Sequence, residues 1–534
     1  VKSNYSSAIL FLLIIVSWAK AGLAGDWILY LVDISVFWIL IFSLKGKRAK
    51  KQMIILGAPI FILIIVFIIS YFNPAYKVLN EDEWIKLNVQ KSLTEEFNIS
   101  KVQMAIKAFD NIYKVSKKDP ELSVALFYHF KNNYYDRFNK EESPIDKLII
   151  KYQNNIKLNK NKYLPNLPLK NSKVALDFTH FIFQILLGFT AFLIIKDIKE
   201  IRRFIFIFCL NGFFLAFFGI IQKLNYVPSD NLKEIWGIWN VPEPRYYFAS
   251  FTYKNHWSIF SIMTIFMAIS LLIHEYSRDT HNFLKKFKVY ILIFSIITLF
   301  TSIILSGSRS GLLLIFIVLI FSIIITLFKI FKNNKKNLFI STFLIFLGTS
   351  ILTWVSFNLH KQTTSEMVNN TKIQLDSISS GDYPLRVMLW QDLLNQIIQK
   401  PLFGYGYNSY KSLNPKFQSK TVREKRNIVL ENAHHDFTPM FGYGHNDWLE
   451  KISEFGLIGI LPFCYYLYLI LSCLIKSKSN TSKILICGSL VFLLYSLVDF
   501  PSRTPCCLLT FSLLTGLALK YDYLVQKNYL QLKL

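Results

Sequence analysis

The stretch WILYLVDISVFWILIFSLKGKRAKK, Trp27 to Lys51, decides the class of this protein. Residues 27–44 are apolar throughout apart from two serines and one charged side chain, Asp33, and a run of that length crosses most of a bilayer's roughly 30 Å of hydrocarbon. The cluster KGKRAKK follows at once. An apolar run closed by a basic cluster reads as a membrane helix whose following loop stays in the cytoplasm.

Working outward, the same pattern recurs from end to end. Apolar runs near 8–25, 27–44, 53–72, 174–195, 204–222, 256–273, 289–305, 311–328, 338–356, 454–475, 484–500 and 505–523 predict twelve spans. Short loops after even spans are basic: KGKRAKK, KDIKEIRR, HEYSRDTHNFLKKFK, KNNKKN and KSKSNTSK. Short loops on the other side, SGSRS and PSRT, carry one arginine each. The alternation predicts cytoplasmic termini. The first run lacks a small-residue cleavage site and is read as a retained span. The expected organisation is spans 1–3 over residues 1–72, an outer loop over 73–173, spans 4–9 over 174–356, a large outer loop carrying the site over 357–453, and spans 10–12 over 454–534.

Bulk composition agrees. The 534 residues are 53% hydrophobic and 16% aromatic, with mean hydropathy +0.35, which exceeds what a soluble domain carries. The net charge of +26 comes from lysines that flank apolar runs, and no nucleic-acid motif accompanies it. It is read as topology charge, with no nucleic-acid partner. The six cysteines lie in or beside apolar runs and form no metal-type pairing with histidine.

The reactive residues gather on the outer side. In LSGSRSG, Leu305 to Gly311, Arg309 sits in a short turn between two spans where the positive-inside rule disfavours it. Ser308, Ser310 and the two glycines offer close backbone N–H groups, which with a guanidinium suit a phosphate oxygen. The alternative is a snorkelling or topology arginine. In YPLRVMLWQDLLNQIIQKPLFGYGYNSY, Tyr383 to Tyr410, Pro384 suits a first helical position. Arg386, Trp390, Leu393 and Ile397 share one face, and Pro401 and Gly404 end the helix. The alternative for Arg386 is stacking on its own helix or a pair with Asp392.

In GYGHNDWLEKISEFGLIGI, Gly442 to Ile460, Asp447 is expected to cap a helix with Glu450 as its capping-box partner. Trp448, Ile452 and Phe455 are expected to form its buried face, and Gly456 and Gly459 to admit a neighbouring helix. His445 then precedes a helix N-terminus, where the dipole favours a neutral, proton-accepting ring. A purely structural cap is the alternative. His434 and His435 suggest a metal by type, but their spacing with His445 fits no standard ligand pattern. FASFTYKNHWS brings Lys254, Asn255 and His256 to the mouth of the sixth span, and SLVDFPSRTP brings Asp499 and Arg503 to the last outer turn.

The ordered set FTYKNH, SGSRSG, PLRVMLW, PLFGYGYNSY, HNDWLEKISEFGLIG and SLVDFP resembles the bacterial O-antigen ligase and O-antigen polymerase superfamily over roughly residues 175–520. His445, Asn446, nine residues, then Gly456 and Gly459 meet the ligase spacing. The resemblance implies an all-α, twelve-span, GT-C-like membrane glycosyltransferase with a large outer-face loop. It works in the bacterial inner membrane with its site facing outward. The implied donor is a glycan on undecaprenyl pyrophosphate. The implied acceptor is a hydroxyl on lipid A core, on another glycan, or on a protein. Catalytic roles fall to His445, Arg309 and Arg386, and substrate-binding roles to Lys254, His256, Ser308, Ser310, Asn446 and Asp499. No metal or other cofactor is expected. A transporter or flippase of lipid-linked sugars is the rival class.

Overall fold

The computed structural model describes residues 4–44, 47–77, 163–167, 172–224, 234–240, 246–276, 283–317, 384–419 and 441–531, with 157–158, 170, 369, 372 and 421–422. The outer-loop stretch SVALFYHFKNNYYDRF, His434, His435, the expected span 338–356 and most of 311–328 lie outside these residues.

The described chain is mostly helical: α1 (Asn4–Trp18), α2 (Asp26–Ser43), α3 (Lys47–Phe72), α4 (Ser172–Ile194), α5 (Ile198–Leu224), α6 (Lys254–Tyr276), α7 (Phe283–Ser306), α8 (Leu385–Gln399), α9 (Tyr410–Phe417), α10 (Asp447–Gly459), α11 (Leu461–Lys476), α12 (Asn480–Tyr495) and α13 (Pro505–Gln531). Two short antiparallel pairs, β1 (Tyr76–Lys77) with β2 (Lys157–Leu158) and β3 (Glu234–Ile235) with β4 (Trp239–Asn240), join loop segments. Among the described residues, seven helices are long and apolar enough to cross a membrane, and α10 with α11 makes an eighth candidate if that bent pair is one span. The protein is a polytopic membrane protein.

Two expected spans differ in shape. The first run is helical only to Trp18, because Lys20 and Ala21 take left-handed φ values of 50° and 54° in a tight turn. Gly22 ends that turn against Pro505, 2.7 Å from where its Cβ would stand. The run 454–475 is broken: α10 and α11 meet at 102°.

The chain divides into two compact units, residues 1–58, 179–376 and 465–534, and residues 59–178 and 377–464. In the first, 83% of the α6 span is buried against 22% of the α2 span, so α6 is the central helix and α2 turns Trp27, Ile34, Phe37 and Trp38 toward lipid. Glycine permits backbone-to-backbone packing where α4 meets α13. A Cβ on Gly188 would lie 2.0 Å from Ser512 O, and one on Gly516 2.1 Å from Gly188 O. Two polar contacts inside the bundle pair groups that lipid would not solvate. Trp18 Nε1–H donates to Asn211 Oδ1 at 2.8 Å, and Asp33 meets His180 Nδ1 at 2.7 Å.

The second unit has an aromatic core. Phe67 stacks on Phe178 at 3.8 Å between centroids, and Tyr407 packs against both Phe178 and Phe455.

Candidate functional site

In the second unit, the site is built on α8, the glycine-rich turn after it, and α10. Pro384 occupies the N-cap position of α8, one residue before the place the sequence suggests. Trp390 lies one turn beyond Arg386 on the same face, and its Nε1–H donates to Gly444 O at 3.1 Å. That bond ties the Arg386 helix to the residue preceding His445. A Cβ on Gly444 would fall 2.5 Å from Leu393 Cδ1, so a larger residue there needs that buried leucine to shift. The Asp392 carboxylate accepts from Ser419 N–H at 3.1 Å.

His445 is held in the left-handed region at φ 54°, a conformation that costs a non-glycine residue about 1–2 kcal/mol. Asn446, not Asp447, is the N-cap: its Oδ1 accepts from Leu449 N–H at 3.0 Å. Both residue types cap well, so the sequence alone left the choice one residue out. Glu450 Oε1 accepts from Gly444 N–H at 2.5 Å. His445 is therefore fixed from both sides, by Trp390 and Glu450 through Gly444 and by the capped start of α10.

The buried face of α10 is also not the expected one. Trp448 and Ile452 are half-buried, whereas Asp447, Glu450, Lys451, Ser453 and Glu454 are buried with Phe455. Lys451 Nζ pairs with Glu454 Oε2 at 2.6 Å and sits 4.8 Å from the centre of the Tyr407 ring. Burial, then Glu450 and Asp392, push the Tyr410 phenol well above its usual range, so it stays protonated. The i, i+3 spacing of Lys451 and Glu454 was the one sequence signal for this network.

Gly456, at φ 67°, breaks α10, and the turn after α8 fills the break. Tyr405 N–H and Gly406 N–H donate to Ser453 O and Glu454 O at 2.9 and 2.7 Å. Leu457 N–H and Ile458 N–H donate to Pro401 O and Leu402 O at 2.8 and 3.0 Å. The helix thus exchanges bonds of its own for four bonds to a loop, as a backbone in a membrane setting requires where a helix is opened. The close approach at Gly456 is by this loop, not by a helix: a Cβ there would lie 2.3 Å from Leu402 O. Gly404, at φ 63°, meets Ser453 O in the same way.

In the first unit, Lys254, His256, Ser308, Arg309, Ser310 and Asp499 come together. Ser308 Oγ donates to Asn255 Oδ1 at 2.8 Å, and Asn255 Nδ2 donates to Asp499 Oδ2 at 2.6 Å. Tyr495 hydroxyl donates to Asn255 O at 3.3 Å and lies 3.0 Å from Ser310 Oγ. His256 Nδ1 shares a 2.6 Å hydrogen bond with Thr504 Oγ1. Ser308, Asp499 and His256 are buried, and these bonds commit their side chains to holding the turn. Arg309 is exposed and Lys254 half-buried. These two cations are what the turn presents outward. Gly307, at φ 69°, reverses the chain between them.

Residues 294–464, about a third of the chain, match the family model described as O-Antigen ligase. The resemblance read from the motifs is borne out over that stretch, which includes Arg309, Arg386 and His445. A curated relative from Haemophilus influenzae, described as an uncharacterized protein, is 27% identical over 201 residues, covering 36% of this chain and 46% of the relative. The matched region spans about half the length of that relative.

Proposed function

Starting from the O-antigen ligase family domain at residues 294–464, we propose that this membrane protein is a glycosyltransferase. It moves a glycan from undecaprenyl pyrophosphate to an acceptor hydroxyl at the outer face of the bacterial inner membrane. The acceptor is a hydroxyl on lipid A core, on a second glycan, or on a protein. The architecture is GT-C-like with twelve spans and cytoplasmic termini. The eight candidate spans, the short apolar helices α1 and α12, and the apolar runs at 311–328 and 338–356 support that count.

The observation that carries the reading is the strained His445, fixed through Gly444 to the helix that bears Arg386. Strain persists where the surroundings over-determine it, and it gathers at functional sites. His445 takes the proton of the acceptor hydroxyl as that oxygen attacks the anomeric carbon. General-base assistance of this kind is worth roughly a hundredfold to ten-thousandfold in rate. The bond from the anomeric carbon to the pyrophosphate oxygen breaks, and attack from the opposite face inverts the centre. Arg309 and Arg386 each act on the charge that develops on the leaving pyrophosphate. Lys254 adds charge beside Arg309. Ser308, Ser310, His256 and Asp499 position the turn, and Asn446 positions the start of α10. The chemistry runs without a metal.

The test is direct. Purified protein in detergent is given the lipid-linked donor and an acceptor glycan, and free undecaprenyl pyrophosphate is measured. Release matched one-to-one by transferred glycan is the expected result. A transporter or flippase would move the donor and leave its glycosidic bond intact, and that outcome removes the transferase reading.

A further inference from the structure

The helix that carries Arg386 leaves one face uncovered. With fifteen residues, α8 is too short to cross a bilayer. Its buried side is Leu389, Asp392, Leu393 and Gln396. Its exposed residues are Gln391, Leu394, Asn395, Ile398 and Gln399, and none of them is charged. The chain is 18% charged, and a helix face turned to water carries such groups. Ile398 is instead 72% exposed at the middle of that face. Lys400, next after the helix, is drawn elsewhere: its Nζ donates to Asn166 Oδ1 and lies 5.2 Å from the centre of the Tyr405 ring.

The apolar part of this face continues past the helix. Leu402 is exposed, and its carbonyl accepts from Ile458 N–H at 3.0 Å, beside the bond from Leu457 N–H to Pro401 O. Leu457 and Ile458 are exposed as well, and Leu461, 61% exposed, opens α11. That helix carries no charge before Lys476. Tyr468 and Ile475, seven and fourteen residues after Leu461 and so on its face, are also exposed. Leu394, Ile398, Leu402, Leu457, Ile458 and Leu461 thus form a run of exposed apolar side chains that leads from α8 onto the uncovered side of an apolar membrane helix.

Scattered exposed leucines need no explanation, but a contiguous run marks a surface that something covers. Continuity with α11 identifies the cover as the hydrocarbon around that helix. An amphipathic helix can lie in the plane of a bilayer with its apolar side among acyl chains. Arg386 and Trp390 are half-buried and stand on the flank between the buried and exposed sides of α8. Both residue types suit the headgroup level, where an apolar body meets lipid and a polar end meets water.

We propose that α8 lies along the bilayer surface, in the leaflet where α11 begins, with Leu394, Ile398 and Leu402 among the lipid acyl chains, and that this docking sets the depth at which α8 holds Arg386. The docking itself needs only the membrane class of the protein. What Arg386 does at that depth rests on the glycosyltransferase reading.

The experiment places a diazirine amino acid at Ile398, Leu402 or Ile475, one position at a time, in the full-length protein in phosphatidylcholine nanodiscs. After illumination, the intact mass reports what each carbene met. Phosphatidylcholine adducts are expected at Ile398 and Leu402, as at Ile475 on α11. The product of water addition at Ile398 and Leu402 overturns the proposal, and so does a cross-link there to another segment of the chain or to a second copy. A Leu394→Asp, Ile398→Asp double variant should lose the lipid adduct at Leu402 and transfer glycan about tenfold more slowly, at an unchanged thermal midpoint. Leu394→Met with Ile398→Met should keep both. An aspartate variant that retains the adduct and wild-type transfer overturns the proposal, because Leu402 and Arg386 would then hold their places without the α8 stripe. Lipid adducts on a protein that transfers no glycan uphold the docking while removing the transferase reading. Transfer by a protein whose Ile398 meets water removes the docking alone.

Discussion

Arg309 and Arg386 are presented by two regions built in opposite ways. Around Arg309 the supports are neutral for the most part: Asn255, Ser308, Ser310 and Tyr495, anchored on one buried carboxylate, Asp499. Around Arg386 and His445 the supports are buried charges, Glu450, Lys451 and Glu454, and a helix opened at Gly456. A neutral network inside a helix bundle is stable with little risk, since each group needs only one partner. A buried ionic network is high-stakes, because removing one member leaves an uncompensated charge. The difference teaches where each region's sensitivity lies. The first should tolerate change in its frame and lose function at its exposed cations. The second should fail structurally when its frame is touched.

The hardest test of that contrast is Lys451→Met, which strands Glu454 in a fully buried place. A loss of about 3–5 kcal/mol in stability is expected, with most of it recovered in a Lys451→Met, Glu454→Leu double variant. Thermal unfolding in detergent would read it. A single variant as stable as the wild type would mean the pair is not buried as described.

A paired glycine test comes next. Gly456→Ala meets both a positive φ and the Leu402 carbonyl, so it should cost about 3 kcal/mol or more and abolish most transfer. Gly307→Ala has a similar φ but only the Lys254 ammonium nearby, at 3.8 Å, and should cost about 1 kcal/mol. Equal effects would erase the distinction between the two regions.

Smaller effects are expected at the guanidiniums. Arg309→Lys and Arg386→Lys keep the charge but lose the planar fork, and each should lower transfer by about tenfold with folding intact. Arg309→Lys should weaken donor affinity as well, because its turn is preformed; Arg386→Lys should act on turnover. Wild-type affinity and rate in both would make these arginines topology residues. The smallest expected effect is none: EDTA should leave transfer unchanged, and activity restored by a divalent cation after its loss would contradict the metal-free mechanism.

The membrane class was legible because a helix needs a long apolar run to cross hydrocarbon, and such runs survive in any reading of the chain. The order of Arg309, Arg386 and His445 was legible because their motifs are local. What escaped is non-local or sits against hydropathy. The loop 401–406 bonds to α10 about fifty residues later, and no periodic pattern announces that exchange. Hydropathy places Trp448 and Ile452 inside, yet the interior side of α10 is occupied by Glu450, Lys451 and Glu454, which satisfy one another and the chain around them.

The central claim is that His445 is the base in glycan transfer, and single-turnover transfer by His445→Ala tests it most directly. Donor binding and thermal midpoint should be measured on the same preparation. The account predicts a transfer rate at least about a hundredfold below wild type, with donor binding and stability close to wild type. Near-normal transfer by the alanine variant would contradict it, and would leave the strained histidine with a structural role only.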